Sequence, residues 1–321
     1  METKKYICLD IGGTKLLAVL FDGTEIVCKV KKKTKSFEGV DKLKEKIISL
    51  VNEVLKLSEL SISDISAISA GAAGIVDEDK GIIIYSPNLP WENYDIKKDI
   101  VEKFHVPFYI GNDVNVGVLG EWKFGSGKNA KNLLGIFVGT GIGGGLVINN
   151  MLYTGNKHAA GEIGHISVNT EGPYCNCGQR GCVEAYASKT AMLRDIKYEI
   201  LRGRHTILEK FLNGNYNTLK SKYIKQGIEE NDSLSIEILE RAMYYLAAGA
   251  GGVINTLDPE KVILGGGLIE ATGDYAIRIF KKYLEKFTMV NIMKNVEISK
   301  SVLGDYAVIY GSRALIDLKN G

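Results

Sequence analysis

Proline is scarce in this chain, with five among 321 residues. That excludes proline-rich disorder, and with so little proline the 37 glycines do not make a collagen-like helix. An excess of one charge is missing too: 40 Lys and Arg oppose 38 Asp and Glu, a formal net charge of +2. No strong general field therefore favours nucleic acid or an acidic surface. No run approaches the roughly 20 apolar residues that a membrane-spanning helix needs. Lys4 and Lys5 precede only Tyr6 to Leu9 before Asp10 interrupts the apolar run, too little for the core of an export signal. A cytoplasmic location is the expectation, and there stable disulfides are rare. The five cysteines then need another use. Cys8 and Cys28 lie in apolar, strand-like runs as packing residues, whereas Cys175, Cys177 and Cys182 are clustered.

What is present suffices for two α/β lobes with separate cores, at 45% apolar and 24% charged residues. Tyr6 to Leu9, then Gly12-Gly13-Thr14, then Leu16 to Phe21 read as strand, turn, strand. The basic run Lys29 to Lys35 alternates partly with Val30 and Thr34, as a solvated strand edge does. Val40, Leu43, Ile47, Val51 and Val54 share one face of a helix over 39–57. A strand from Ile65 to Ser69, a helix over 95–104 and a strand from Val106 to Ile110 follow. Leu133 to Val138, Gly139 to Gly145 and Leu146 to Ile148 repeat the opening plan, a hint that the lobes are related. Residues 234–257 form a long apolar helix ending before Pro259. Val262 to Leu264 is a short strand, and 274–287 and 305–319 are helical. The stretch from Arg194 to Asn231 reads as helices without assignable chemistry. The domain expectation is 1–117, 118–304, and a helix over 305–321 that packs back on the first lobe.

Three segments carry phosphate or acid–base chemistry. Asp10 ends a strand, and the turn after it lets backbone N–H groups converge on a phosphate, with Thr14 adding a hydroxyl. Asp10 can hold a magnesium ion directly or through water. An ordinary glycine hairpin is the competing reading, and a P-loop is excluded by the spacing. Gly139-Thr140-Gly141-Ile142-Gly143-Gly144-Gly145 is a second such turn, so that two jaws on one polyphosphate become the simpler reading. Gly111-Asn112-Asp113 follows a strand, where residues line the ligand crevice of an α/β lobe. Asp113 suits a base that takes the proton of an attacking alcohol, and Asn112 could orient that alcohol.

Cys175-Asn-Cys177-Gly-Gln-Arg-Gly-Cys182 puts three thiols within eight positions. One tetrahedral zinc suits them, with His165 as the fourth ligand and His158 the weaker candidate. Such a closed site is structural. It would fix Glu162 and Glu184 in space, carboxylates that can accept hydrogen bonds from vicinal hydroxyls of a sugar.

Taken together and in this order, these segments resemble the ROK family of sugar kinases and related repressors. The most specific parts are Asp10 to Lys15, Gly111 to Asn115, Gly139 to Gly145, and Ala160-Gly-Glu-Ile-Gly-His165 through Glu184. The resemblance implies the actin-like ATPase (ribonuclease H-like) fold, two lobes around a nucleotide and sugar cleft. It implies ATP-dependent phosphorylation of a hexose at the 6-hydroxyl, glucose first, with Asp113 as the base and Asp10 assisting Mg²⁺. By the same resemblance Gly12, Gly13, Thr14, Lys15, Gly139, Thr140, Gly141, Gly143 and Gly144 bind ATP phosphates, and Gly265, Gly266 and Gly267 lie beside the adenosine. Asn112, Glu162, His165 and Glu184 match sugar-contacting positions, and Gly71 and Asn88 a looser near wall. His165 would both ligate zinc and face the sugar. Kinases for N-acetylmannosamine, N-acetylglucosamine, fructose or mannose are the near alternatives, and a non-catalytic sugar-sensing regulator or repressor the distant one. The expected partners are a hexose, ATP and further copies of the chain in a homodimer or higher oligomer, with no nucleic acid and no membrane. Ala73 stands where many members have proline, and Gly111 where many have Glu.

Overall fold

The computed structural model describes residues 3–320. Two compact α/β units emerge. The first holds the chain up to Lys128, Leu152–Ala160 and the chain from Asp305 on; the second holds Asn129–Met151 and Gly161–Gly304.

Unit 1 starts with β1 (Lys5–Ile11), β2 (Lys15–Asp22) and β3 (Glu25–Lys33), an antiparallel run ending on the basic edge strand expected from sequence. Then come α1 (Val40–Leu57), β4 (Ile65–Ala72), a small antiparallel sheet of β5 (Ile75–Asp77), β6 (Ile82–Tyr85) and β7 (Glu92–Asp95), α2 (Ile96–Phe104), β8 (Phe108–Asn112) and α3 (Asp113–Lys123). The main sheet has the order β3-β2-β1-β4-β8, with β1, β4 and β8 parallel. Because β1 is covered on both faces it reads as a continuous apolar run. Ile7, Leu9 and Ile11 enter a core with Leu43, Ile47, Val51 and Ile100, while Tyr6 and Cys8 enter one with Ile309 and Ile316. Asp10 shares the alternation of Tyr6 and Cys8. Cys8 is fully buried and Cys28 half-buried, both packing residues.

Unit 2 repeats the plan. It contains β9 (Leu133–Val138), β10 (Ile142–Ile148), α4 (Glu184–Ala187), α5 (Lys189–Leu201), α6 (Ile207–Leu212), α7 (Ser221–Glu229), α8 (Ser233–Leu257), β12 (Lys261–Gly265), α9 (Gly267–Leu284), α10 (Val290–Met293) and β13 (Glu297–Lys300), while β11 (Met151–Tyr153), on the edge of its sheet, runs across the unit boundary after Met151. Its sheet order, β11-β10-β9-β12-β13, is that of unit 1: a hairpin whose inner strand pairs with a parallel strand. Arg194 to Asn231 becomes most of α5, then α6 and α7. The helix expected over 274–287 begins earlier, at Gly267, and breaks at Gly273 (φ 55°, ψ −136°). The strand expected over 106–110 lies at Phe108–Asn112, since Pro107 cannot donate to a ladder.

The last helix, α11 (Ala307–Asn320), belongs to unit 1. Its Gly311 meets α3 backbone to backbone: a methyl group there would lie 1.7 Å from the Val116 carbonyl oxygen. This pairing corrects the expected boundary at 117/118, which falls inside α3; the chain leaves unit 1 only after Lys128. Leu152–Ala160, expected in the second lobe, also belongs to unit 1. Among the described residues, no helix is long and apolar enough to cross a membrane.

Asp232 ties α8 to α6. Its carboxylate accepts from the Ser235 backbone (2.9 Å) and hydroxyl (2.7 Å), from the Thr206 hydroxyl (2.8 Å) and from the Ile207 backbone (3.2 Å). Partial burial pushes its carboxyl up, but these donors outweigh it and hold it below the ordinary 3.8. A depressed folded value means stability that is present above the ordinary value and lost as pH falls through the folded one. Asp232→Ala is expected to destabilise the protein by about 1–2 kcal/mol at pH 7. Urea denaturation at pH 7 and pH 3 should show the gap between the two proteins shrinking in acid.

Candidate active site

In unit 1, Asp10 is opposite Gly71 and Gly71 opposite Gly111 across β1, β4 and β8. The three parallel strands therefore end at one edge, where an α/β sheet presents its ligand-facing side chains. Asp10 is 6% exposed, and its carboxylate makes no hydrogen bond among the described residues. Its nearest cation, Lys15 Nζ, is 3.8 Å away and also pairs with Asp305 at 3.0 Å. Burial pushes the Asp10 carboxyl up to about 7; Lys15 opposes this, and Asp113 and Asp305 add to it.

The Gly12–Thr14 turn closes through the Gly12 N–H on the Lys15 carbonyl (3.0 Å). Thr34, completely buried, holds it from outside: its hydroxyl donates to the Gly12 carbonyl (2.6 Å) and its N–H to the Thr14 carbonyl (3.0 Å). Thr14 itself is exposed. Asn88, the looser sugar-wall candidate, is exposed and lies against this turn, its Cβ 2.7 Å from where a methyl group on Gly13 would be.

Asn112 caps α3, its Oδ1 accepting from Val114 (2.9 Å) and Asn115 (3.0 Å), while Nδ2 donates to Gly74 (2.8 Å). A sugar contact is thus left one amide hydrogen. Asp113 is the first residue of α3, half-buried, with Oδ1 accepting from the Val114 N–H (3.0 Å). Gly71 is a correction. It is buried inside β4, paired on both sides, and a methyl group on it would lie 2.4 Å from Val308 Cγ1. It is a packing position under α11, with no face for a sugar.

In unit 2 the second turn is shorter than the glycine run suggests. β10 begins at Ile142, so Gly143, Gly144 and Gly145 are strand residues and the turn is Gly139–Gly141. Gly144 serves packing: a methyl group there would lie 2.6 Å from the Gly161 carbonyl oxygen. Segment 161–165 therefore lies directly on β10. The turn is held by the Lys189 N–H on the Gly139 carbonyl (3.0 Å) and the Thr190 hydroxyl on the Thr140 carbonyl (2.8 Å). Glu184 Oε2 accepts from the Ile142 N–H (2.8 Å) and lies 2.5 Å from where a methyl group on Gly141 would be. One oxygen of this sugar candidate is thus committed to the turn. Gly265 is a second packing glycine, against Phe137 and Ser301; Gly266 (φ 83°) turns the chain beside Val138, and Gly267 opens α9.

Glu162, His165 and Glu184 converge. His165 Nε2 is 3.9 Å from Glu162 Oε2. Burial raises the Glu162 carboxyl above its ordinary value, His165 opposing and Glu184 adding. On its other edge His165 Nδ1 is 3.6 Å from Cys175 Sγ, and Cys177 Sγ is 3.7 Å from Cys182 Sγ. A tetrahedral zinc, with bonds of about 2.3 Å to sulfur and about 2.05 Å to nitrogen, needs edges of about 3.8 and 3.6 Å. All four ligand atoms lie within 4.8 Å of one another, so this donor set fits the ion. Burial, with the neighbouring thiols, pushes Cys182 up to about 12, a cost that a divalent cation on the thiolates removes. His158 is elsewhere, in unit 1, 3.8 Å from Asp77.

Sequence reasoning missed Thr34, Asp305, Lys189 and Thr190, whose roles arise from pairing across the chain. It also missed a cavity of about 300 Å³ beside the second turn, lined by Thr140, Lys189, Thr190, Lys197, Tyr216 and Asn217. Burial lowers the Lys189 ammonium below its ordinary value, with Glu270 opposing.

The sequence profile of the ROK family matches residues 6–319. The chain belongs to the ROK family. A glucokinase of Halalkalibacterium halodurans is 31% identical over 318 residues, spanning 98% of this chain and 96% of that protein. A xylose repressor of Caldicellulosiruptor bescii is 28% identical, spanning 97% of this chain and 77% of the repressor. A crystal structure of a ROK family glucokinase from Streptomyces griseus, in complex with glucose and AMPPNP, matches with a TM-score of 0.83 at 27% identity, over 99% of this chain and 100% of that one. This ROK protein thus has the actin-like ATPase fold, with the two related α/β units described above.

Gly71→Ala is expected to destabilise this ROK protein by about 1–3 kcal/mol through overpacking. Adding Val308→Ala should restore most of the loss in urea denaturation; no restoration would return Gly71 to the list of ligand contacts. Metal analysis of the purified protein should find one zinc per chain. Cys177→Ser should lower that occupancy and the thermal midpoint together.

Proposed function

We propose that this protein is a sugar kinase, transferring the γ-phosphoryl group of ATP to the 6-hydroxyl of a hexose, with glucose as the first acceptor. The observation that carries this reading is the end-on alignment of β1, β4 and β8. It sets a carboxylate at the start of α3, Asp113, two strands from the buried Asp10 and its glycine turn, roughly 10 Å across the sheet. A base beside a polyphosphate turn is what phosphoryl transfer to an alcohol requires.

From unit 1, Asp113 takes the proton of the 6-hydroxyl as that oxygen bonds to the γ-phosphorus. The bond from phosphorus to the β,γ-bridging oxygen breaks, and ADP leaves with its electron pair. Backbone N–H groups of Gly13 and Thr14 stabilise charge on phosphate oxygens. Asp10 would hold Mg²⁺, which when bound neutralises charge on the phosphate oxygens. In unit 2, the Thr140 and Gly141 N–H groups are donors suited to a phosphate, and the cavity beside Thr140 suits a nucleoside. Glu162, the Nε2 edge of His165 and the remaining oxygen of Glu184 accept or donate to sugar hydroxyls. Zinc on the Nδ1 edge would orient the imidazole, as the second ring nitrogen of a metal-bound histidine is turned toward its partner.

The glucokinase relative supports the choice of glucose. The xylose repressor relative favours a second reading, a sugar-binding regulator without turnover.

A coupled assay of ADP release with ATP and Mg²⁺ should show sugar-dependent turnover. The panel is glucose, mannose, fructose, N-acetylglucosamine, N-acetylmannosamine and glucosamine. Asp113→Asn should lower kcat by about 10²–10⁴-fold while leaving sugar binding in place. Sugar binding without turnover, in zinc-loaded wild-type protein, would transfer the conclusion to the regulator.

A further inference from the structure

Asp305 enters none of the roles above. It sits in a single 3₁₀ turn, Gly304–Tyr306, immediately before α11, with 72% of its side chain exposed. Its carboxylate nonetheless meets Lys15 at 3.0 Å, and the same ammonium stands 3.8 Å from Asp10. Among the described residues no other ammonium or guanidinium comes within 4 Å of either carboxylate.

Two facts set this group apart from an ordinary surface ion pair. First, Asp10 is more than nine-tenths buried and its carboxylate has no hydrogen-bond partner, an arrangement that stays costly unless a cation stands before it. Second, one ammonium, that of Lys15, stands within 4 Å of both the Asp10 and the Asp305 carboxylates, so the two acids share a single cation at the end of the β1 turn, and Asp305 raises the Asp10 carboxyl. Lys15 alone stands between them. An ammonium is a compact point charge on a flexible stem, able to leave when a better cation arrives. Asp305 is also well anchored. Tyr306, its neighbour, hydrogen-bonds Lys29 on β3, and α11 packs against β1, β4 and α3.

The geometry points to Asp305 as a second carboxylate for the divalent cation of the reaction, acting with Asp10. Lys15 is the stand-in cation that the metal displaces. This rests on the kinase reading only for the identity of the anion the metal accompanies. A divalent ion that keeps most of its waters needs few direct ligands, and a carboxylate that reaches it through water holds it in place. Once displaced, Lys15 is left at the mouth of the Gly12–Thr14 turn, where its charge meets phosphate. Asp305 is a positioning residue in this scheme, since it touches neither the sugar nor the transferred group.

The test is Mn²⁺ titration by electron paramagnetic resonance, on full-length zinc-loaded protein, with and without ADP. Asp305→Asn is expected to weaken Mn²⁺ binding to the ADP complex about tenfold, the low end for losing a partner of a metal site. Asp305→Glu should recover most of it. Lys15→Met should strengthen Mn²⁺ binding in the absence of nucleotide, because the competing ammonium is gone. The thermal midpoint of Asp305→Asn should match wild type, since an exposed pair stabilises little. Mn²⁺ affinity within twofold of wild type in Asp305→Asn, or no gain in Lys15→Met, overturns the assignment. Neither result bears on the kinase reading, which stands or falls with sugar-dependent ADP release by the wild-type protein.

Discussion

A glycine turn has no side chain with which to hold its own shape, so its backbone N–H groups converge on a ligand only if something else holds the turn. In both units that support comes from elsewhere in the chain. Buried Thr34 takes the carbonyls of Gly12 and Thr14 with its hydroxyl and N–H. In unit 2, Lys189, Thr190 and Glu184 take the corresponding positions around Gly139–Ile142. Each support is bonded to backbone atoms of the turn, leaving the turn's open face to the ligand. The strands beside the first turn are covered on both faces by apolar side chains, and those beside the second enter the core of unit 2 through Leu134, Ile136, Val138, Ile142 and Leu146, which keeps each turn at a fixed level of its sheet.

The cluster of His165, Cys175, Cys177 and Cys182 is tied into this arrangement more closely than its distance along the chain suggests. Glu184 accepts from Ile142 with one oxygen while the other is 3.9 Å from Cys175 Sγ. The resemblance by itself implies a metal that shapes the sugar pocket without touching the phosphate. The structure adds a carboxylate shared between the cysteine cluster and the second turn. His165 shows the same economy, one ring edge toward Cys175 and the other toward Glu162. A rigid, cross-linked loop is a sound base for polar groups that must be held to within a fraction of an ångström.

Several glycines illustrate how one residue type divides into two physical roles. Gly12, Gly13, Gly139 and Gly141 are turn residues, with the Gly13 and Gly141 N–H groups unused within their turns. Gly71, Gly144 and Gly311 permit a neighbouring element to approach, and a methyl group on any of them would collide with atoms less than 2.7 Å away. A glycine-rich string in sequence carries no mark that separates the two.

The strands, the main helices and the two-unit plan were legible in the sequence because they follow from apolar periodicity, a local property. So was the meeting of Cys175, Cys177 and Cys182, since three thiols spaced by glycines within one short loop meet almost regardless of the rest of the fold. Asp10 near the end of β1 and Asp113 just past β8 were legible by position. What only the tertiary structure decided is whatever depends on which strand lies beside which and on how closely elements approach. That includes Thr34 over the first turn, Asp305 brought to Lys15 from 290 positions away, α3 held in unit 1 by α11, and the reassignment of Gly71 from sugar wall to packing. These depend on contacts between segments far apart in the chain, and sequence periodicity within each segment is silent on its partner.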